Sequence, residues 1–258
     1  LSAYAITRFV INTILEATGA SSSSSSDGGP GGPGGPGTGF GSGFAVVSIV
    51  PEGAVPIRNV VVQINMSSNV DATSAADNIR VQAVGASASE DGAVSVSGSR
   101  ITWRPTTPCP SPNESLGCLA SDTAYDIFIS GGLRGTNGLF ENCGFGGCNG
   151  SFTTGDLVDT TPPRAVITYP TDNMGVSPNP DLGVTLNVTD DAGVGTTEVY
   201  VDRESIGTDA PSITTTSFVA DVEWSTTGLV LGSRPRIDAE VYDLAGFMVN
   251  PDTVSVIV

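Results

Sequence analysis

Five aspartates stand where carboxylates could do chemistry. Asp190 and Asp191 share a turn-like stretch, VTDDAG. Asp243 opens Asp-Leu-Ala-Gly, Asp202 follows a strand-like run, and Asp159 sits in a proline-flanked junction, DLVDTTPP. Carboxylate oxygens are hard ligands, and a set of them gathered from turns can hold Ca²⁺. Asp190, Asp191 and Asp243 are the calcium candidates, with Asp159 and Asp202 as further donors. Aspartate at a turn more often bonds its own backbone, and no EF-hand spacing is present. Turn chemistry is therefore the preferred reading, and no cofactor is expected.

Other chemistry is narrowed by what the chain lacks. It has no His, and its ten basic residues are all Arg. Ser–His and Cys–His nucleophile pairs are ruled out, as are Schiff-base lysines. Paired carboxylates such as Glu90–Asp91 and Asp190–Asp191 could do glycosidase work only across a cleft, which two small sandwiches do not obviously make. The expectation is a protein that is not an enzyme.

The cysteines, Cys109, Cys118, Cys143 and Cys148, have loop-type neighbours and read as two disulfides in an oxidising compartment. A metal site of four thiolates is the rival. Cys109 and Cys118 fall in one inter-strand loop, Cys143 and Cys148 in the next. Cross-pairing would span a strand length, about 20 Å, far beyond the roughly 6 Å between Cα atoms that a disulfide tolerates. Local pairs, Cys109–Cys118 and Cys143–Cys148, are expected. Asn65, Asn113, Asn149 and Asn187 begin Asn-x-Ser/Thr sequons, which permit glycosylation in a secreted chain. The formal net charge of −17 argues against nucleic acid and anionic membranes as partners.

These residues need elements to position them. From Phe44 to Gly155 short β-like runs recur: FAVVSIV, IRNVVVQI, NIRVQAV, AVSVS, RITWRP, AYDIFIS and SFTTG. RAVITYP, LGVTLNVTD, TEVYVD, SFVADVEW, RPRIDAEVYD and FMVNPDTVSVIV form a second set. Gly, Pro, Asn and Ser punctuate both, which is sandwich spacing. Trp103 and Trp224 read as core residues. NVVVQINM alternates only partly. The fold class is all-β: two tandem immunoglobulin-like β-sandwiches, residues 44–156 and 157–258.

An apolar N-terminal segment, residues 1–19, precedes them. Arg8, Asn12 and Glu16 recur every four residues, as one helical stripe would. Its β-branched residues support a donor-like strand equally, and periodicity leaves both open. It is too short and too interrupted to be a transmembrane span. Beginning at Leu1, the chain reads as processed, with any signal peptide already absent. Residues 20–43, a serine run and then DGGPGGPGGPGTGFGSG, read as a linker.

The first set of strands resembles the bacterial Ig-like domains of surface-layer and adhesin proteins. The stretches carrying the resemblance are VPEGAVPIRNVVVQINMSSNVDATSAADNIRV, GSRITWRP, TAYDIFISGGLRGTNG and SFTTG, within residues 50–155. The second set is similar to another bacterial Ig-like repeat, through DTTPPRAVITYPTDN, VTDDAGVGTTEVYVD and the Asp243–Ala245–Gly246 turn. That resemblance implies scaffold, spacer or adhesion roles at the cell surface. The expectation is a secreted, non-catalytic structural protein, a pilus-like filament subunit. Its partners would be copies of itself in a homopolymer, assembled through Tyr4, Ile6, Phe9, Val10, Ile11, Ile14 and Leu15. The rival is an adhesin or surface-layer module contacting a surface glycan or protein.

Overall fold

The computed structural model describes residues 44–140, 148–178 and 181–258. The segment 1–19, the seven assembly residues within it and the linker 20–43 lie outside the described residues.

The first sandwich is built from β1 (Val46–Val50), β2 (Gly53–Ala54), β3 (Val62–Met66), β4 (Ile79–Ala83), β5 (Gly92–Ser97), β6 (Arg100–Pro105), β7 (Ala124–Ile129) and β8 (Cys148–Thr153). They form two four-stranded sheets, ordered β1-β3-β6-β5 and β2-β8-β7-β4. All pairs are antiparallel except the short β2–β8 pair. The second comprises β9 (Arg164–Tyr169), β10 (Leu182–Thr189), β11 (Val194–Val201), β12 (Glu204–Asp209), β13 (Ser217–Trp224), β14 (Arg236–Asp243), β15 (Met248–Val249) and β16 (Val254–Ser255). Its sheets run β13-β10-β9 and β12-β11-β14-β15, with β16 also on β14. The chain is thus a pair of immunoglobulin-like β-sandwiches.

Strand alternation explains both cores. β10 sends Val184, Leu186 and Val188 inward and Thr185, Asn187 and Thr189 outward. β13 buries Ala220, Val222 and Trp224, and β14 buries Ile237, Ala239 and Val241 against them. In the first core Ile101 and Trp103 of β6 face Tyr125, Ile127 and Ile129 of β7. Tyr125 stacks on Phe152, centroids 5.5 Å apart, and its hydroxyl accepts the Ala120 amide at 2.9 Å, so a large buried aromatic keeps its polar end satisfied.

β3 breaks the alternation because both its faces are covered. Val62, Ile64 and Met66 enter the first core. Gln63 and Asn65, on the opposite face, are also fully buried, and they meet the second sandwich. Gln63 Nε2 donates to the Asp243 carbonyl at 2.7 Å, and Gln63 Oε1 accepts the Thr196 amide at 3.1 Å. Asn65 Nδ2 donates to Ser48 Oγ at 2.8 Å and Thr196 Oγ1 at 3.1 Å. Gly195 makes the approach possible: a Cβ there would lie 2.6 Å from the Asp243 carbonyl oxygen and 2.7 Å from Gln63 Nε2. Ala192, Leu244 and Ala245 of the second half join the first core. The sandwiches therefore share one packed polar and apolar seam.

A short helix and the strand β12 fall outside the expected runs. Val70-Asp71-Ala72-Thr73-Ser74 contains a one-turn helix, α1 (Ala72–Ala75), capped by Asp71, whose carboxylate accepts the Thr73 amide at 3.0 Å. β12 forms a hairpin with β11 through Asp202 and Arg203, at φ 50° and 75°. Positive φ at both central residues matches the twist of the flanking strands.

Candidate metal centre

The junction and two turns converge. Asp159 ends the strap leaving the first sandwich, Asp190 follows β10, and Asp243 ends β14. The strap is held down along its length. Arg58 N–H donates to the Leu157 carbonyl at 2.9 Å. Asn59 then grips the Asp159 backbone twice: its Nδ2 donates to the carbonyl at 2.8 Å and its Oδ1 accepts the amide at 2.9 Å. Asp243 is set by the Asp-Leu-Ala-Gly turn, in which Gly246 takes φ 78°. That positive φ favours glycine. Asp190 begins a turn that its own side chain closes.

Each carboxylate spends one oxygen on local backbone, as turn chemistry requires. Asp159 Oδ1 accepts the Thr161 amide at 2.9 Å and its hydroxyl at 3.0 Å. Asp190 Oδ1 accepts the Ala192 and Gly193 amides at 2.9 and 2.7 Å. Asp243 Oδ1 accepts the Phe247 amide at 2.9 Å. The second oxygen of every one of the three is buried and without a hydrogen-bond partner. One ligand atom from each lies within 4.8 Å of the others. The residues are 5%, 8% and 0% exposed, respectively.

The electrostatics follow from crowding. Desolvation pushes the Asp243 carboxyl up to about 8; the Phe247 amide pulls it down, and Asp159 and Asp190 push it further up. Asp190 is raised too, first by desolvation, against the pull of the Gly193 and Ala192 amides, with Asp159 and Asp191 adding to the rise. None of the four ion pairs among the described residues touches the cluster. Oxygen-only donors of this charge suit a hard cation.

The sequence candidates distribute unevenly. Asp190 and Asp243 are in the cluster. Asp191 lies outside that group: it is exposed and accepts the Thr161 hydroxyl. The third carboxylate is Asp159, which sequence placed at the junction without ranking it among the three candidates. Asp202 caps the β11–β12 hairpin by accepting the Arg236 amide at 2.9 Å. Cys109 and Cys118 form a disulfide. Cys148 is disulfide-bonded as well, and Cys143 lies outside the described residues. The thiolate metal site is thereby overturned.

The sequons separate by burial. Asn65 is corrected: it is fully buried and committed to Ser48 and Thr196, so a glycan there is incompatible with this fold. Asn113 is half-buried, Asn149 exposed, and Asn187 exposed at the centre of its sheet between the exposed Val166 and Val219. Expressed in a glycosylating host, the chain is expected to show peptide-mapped occupancy at Asn187 and none at Asn65.

A second charged constellation was not anticipated. Arg100, only 4% exposed, crosses from β6 to the second sandwich. Its Nη1 lies 3.3 Å from Glu198 Oε2, itself 4% exposed, in an ion pair that makes no hydrogen bond. Its Nη2 donates to Tyr242 Oη at 2.7 Å and to Glu240 at 3.4 Å. The guanidinium also lies 3.9 Å from the Tyr242 ring centroid. Burial, followed by the Glu240 hydrogen bond, pushes the Tyr242 hydroxyl up to about 12. The available signal was the run of polar residues Arg100, Thr102 and Arg104 on one face of β6, beside a β3 buried on both faces.

No family model matches the sequence, and no curated protein matches it. Among solved structures, fibronectin(III)-like modules of Clostridium thermocellum CbhA align at 26% identity over 37% of this chain and 96% of theirs, with a TM-score of 0.30. Titin domains z1z2 in complex with telethonin align at 10% identity over 85% of this chain and 95% of that one, with a TM-score of 0.28. The tandem Ig repeats of Dlar align at 10% identity over 81% and 96%, with a TM-score of 0.25. The class that fold and site define is a tandem immunoglobulin-like protein with an acidic, buried junction.

Proposed function

We propose that the chain is a non-catalytic structural subunit of an extracellular, cell-surface filament, assembled through its N-terminal segment. The observation that carries this reading is the seam. Two sandwiches joined by a bonded strap, the Gln63 and Asn65 hydrogen bonds and the Arg100 ion pairs form a stiff module suited to bearing load. The Cys109–Cys118 disulfide fits an oxidising compartment, and among the described residues no helix is long and apolar enough to cross a membrane. The apolar residues Tyr4, Ile6, Phe9, Val10, Ile11, Ile14 and Leu15 supply a surface for a neighbouring copy, as an added strand or a packed helix would. Head-to-tail contacts whose rotation does not close propagate into a filament.

Deleting residues 1–18 is expected to abolish polymers seen by electron microscopy while leaving the circular dichroism and melting of both sandwiches unchanged. Filaments that persist in the truncated protein would sink the reading. The adhesin alternative is favoured by one observation: Val230 and Leu231, in the β13–β14 loop, are 72% and 76% exposed. Loss of surface binding in V230S/L231S, from a protein that stays monomeric at full length, would select it.

A further inference from the structure

We propose that Asp159, Asp190 and Asp243 bind a single Ca²⁺ ion that pins the strap and two turns of the second sandwich to the first. Geometry and chemistry meet on this point. Ca²⁺ holds oxygens at about 2.3–2.6 Å, so ligands on opposite sides of one ion stand about 4.6–5.2 Å apart. The three carboxylates offer atoms within 4.8 Å of one another. Their free oxygens, Oδ2 in each residue, are buried and make no hydrogen bond. Buried polar atoms are normally paired, and an unpaired one calls for an explanation.

Asp209 shows what a buried aspartate does when no ion is wanted. It is 6% exposed, yet its Oδ1 accepts the Ala210 amide and its Oδ2 the Asp221 amide, each at 3.0 Å. The cluster residues instead fix one oxygen by backbone donors and leave the other buried with no partner. That division orients a ligand set, the role hydrogen-bond partners play around metal-bound carboxylates. Three buried carboxylates with no ion pair among the described residues are ligands that a divalent hard ion would hold ionised.

The ion's position gives it structural leverage. Asp159 is gripped by Asn59, the Asp243 carbonyl accepts from Gln63, and the next carbonyl, that of Leu244, accepts the Val61 amide at 2.8 Å. All three partners lie on residues 59–63, which lead into and begin β3. Loading the site therefore fastens one sandwich to the other.

The test uses the full chain, stripped with EDTA and titrated with CaCl₂ by calorimetry. One Ca²⁺ per chain is expected, and at about 100 times Kd the melting temperature rises by about 5–10 °C. MgCl₂ at equal concentration does not compete, because Mg²⁺ demands tighter octahedral geometry. Asp243→Asn keeps an acceptor for the Phe247 amide and weakens binding roughly 100-fold or more through the lost charge. Asp191→Asn keeps one Ca²⁺ per chain and changes affinity far less than the cluster variants do, because it removes a neighbouring charge and no ligand. If Asp243→Asn does not fold, Asp190→Asn takes its place, and the wild-type titration stands independently of both. No heat and no melting shift at millimolar Ca²⁺ would overturn the site, as would binding lost in Asp191→Asn and kept in the cluster variants.

Discussion

Replacing Arg100 with Leu is expected to destabilise the protein by about 3–5 kcal/mol, the cost of breaking a buried pair from one side. The guanidinium is the cation against Glu198 at 3.3 Å and Glu240 at 3.4 Å. Without it, Glu198 stays 4% exposed with no counter-charge, while the Tyr242 hydroxyl and ring lose their partner. The loss falls on the seam, so urea unfolding should also change from one transition to two, as each sandwich melts on its own core. Adding Glu198→Gln to Arg100→Leu removes the orphaned charge and should recover more than half of the loss. That recovery is the mark of a desolvation penalty, since replacing both partners of a buried pair is often nearly neutral. A single-mutant loss below about 1 kcal/mol, the range of exposed pairs, would contradict the burial assigned to Arg100.

The same residues show how far the sequence can be read. β10, β13 and β14 of the second sandwich were legible because each buries one face: they alternate cleanly, and alternation is the signal a half-buried strand leaves. β3 was visible as apolar but not as an interface. Gln63 and Asn65 are polar residues on a doubly buried strand, and only three-dimensional packing says that their partners lie across the seam, more than a hundred residues away. β12 was missed for a local reason. ESIGTD carries little apolar character, and the turn before it uses Asp202-Arg203 in place of the usual Asn-Gly or Asp-Gly. α1 was missed because one helical turn has no period to detect, and only its Asp71 cap marks it. At the junction, Asp190 and Asp243 were legible as turn aspartates. Choosing Asp159 over Asp191 was not, because adjacent residues after a strand point to different sides, and the strap's course depends on the Asn59 clasp.

In EDTA the stability of the metal-free protein is expected to fall as pH rises from about 5 to 9, opposite to the usual behaviour of a paired carboxylate. Asp243 is the reason. Its carboxyl is pushed from 3.8 up to about 8, first by desolvation, with Asp159 and Asp190 facing it and adding to the rise. Of the nearby cations, Arg104 is committed to the adjacent Ala245 carbonyl, at 3.3 Å. A raised folded-state value means that the native state binds the proton more tightly than the unfolded chain does. The stabilising contribution is then complete below about 4 and is lost as pH climbs through about 8. Asp190, raised in the same direction, adds to the slope. Together they should remove a few kcal/mol between the ends of the range. Saturating Ca²⁺ removes that loss. The ion takes the place of the proton, its ligands must be ionised, and its affinity grows with pH, so the Ca²⁺-loaded protein should hold its stability up to pH 9. Denaturant midpoints measured across pH with and without Ca²⁺ would therefore coincide near pH 5 and diverge above pH 7. Parallel curves would mean that the three carboxylates neither share a proton nor hold an ion.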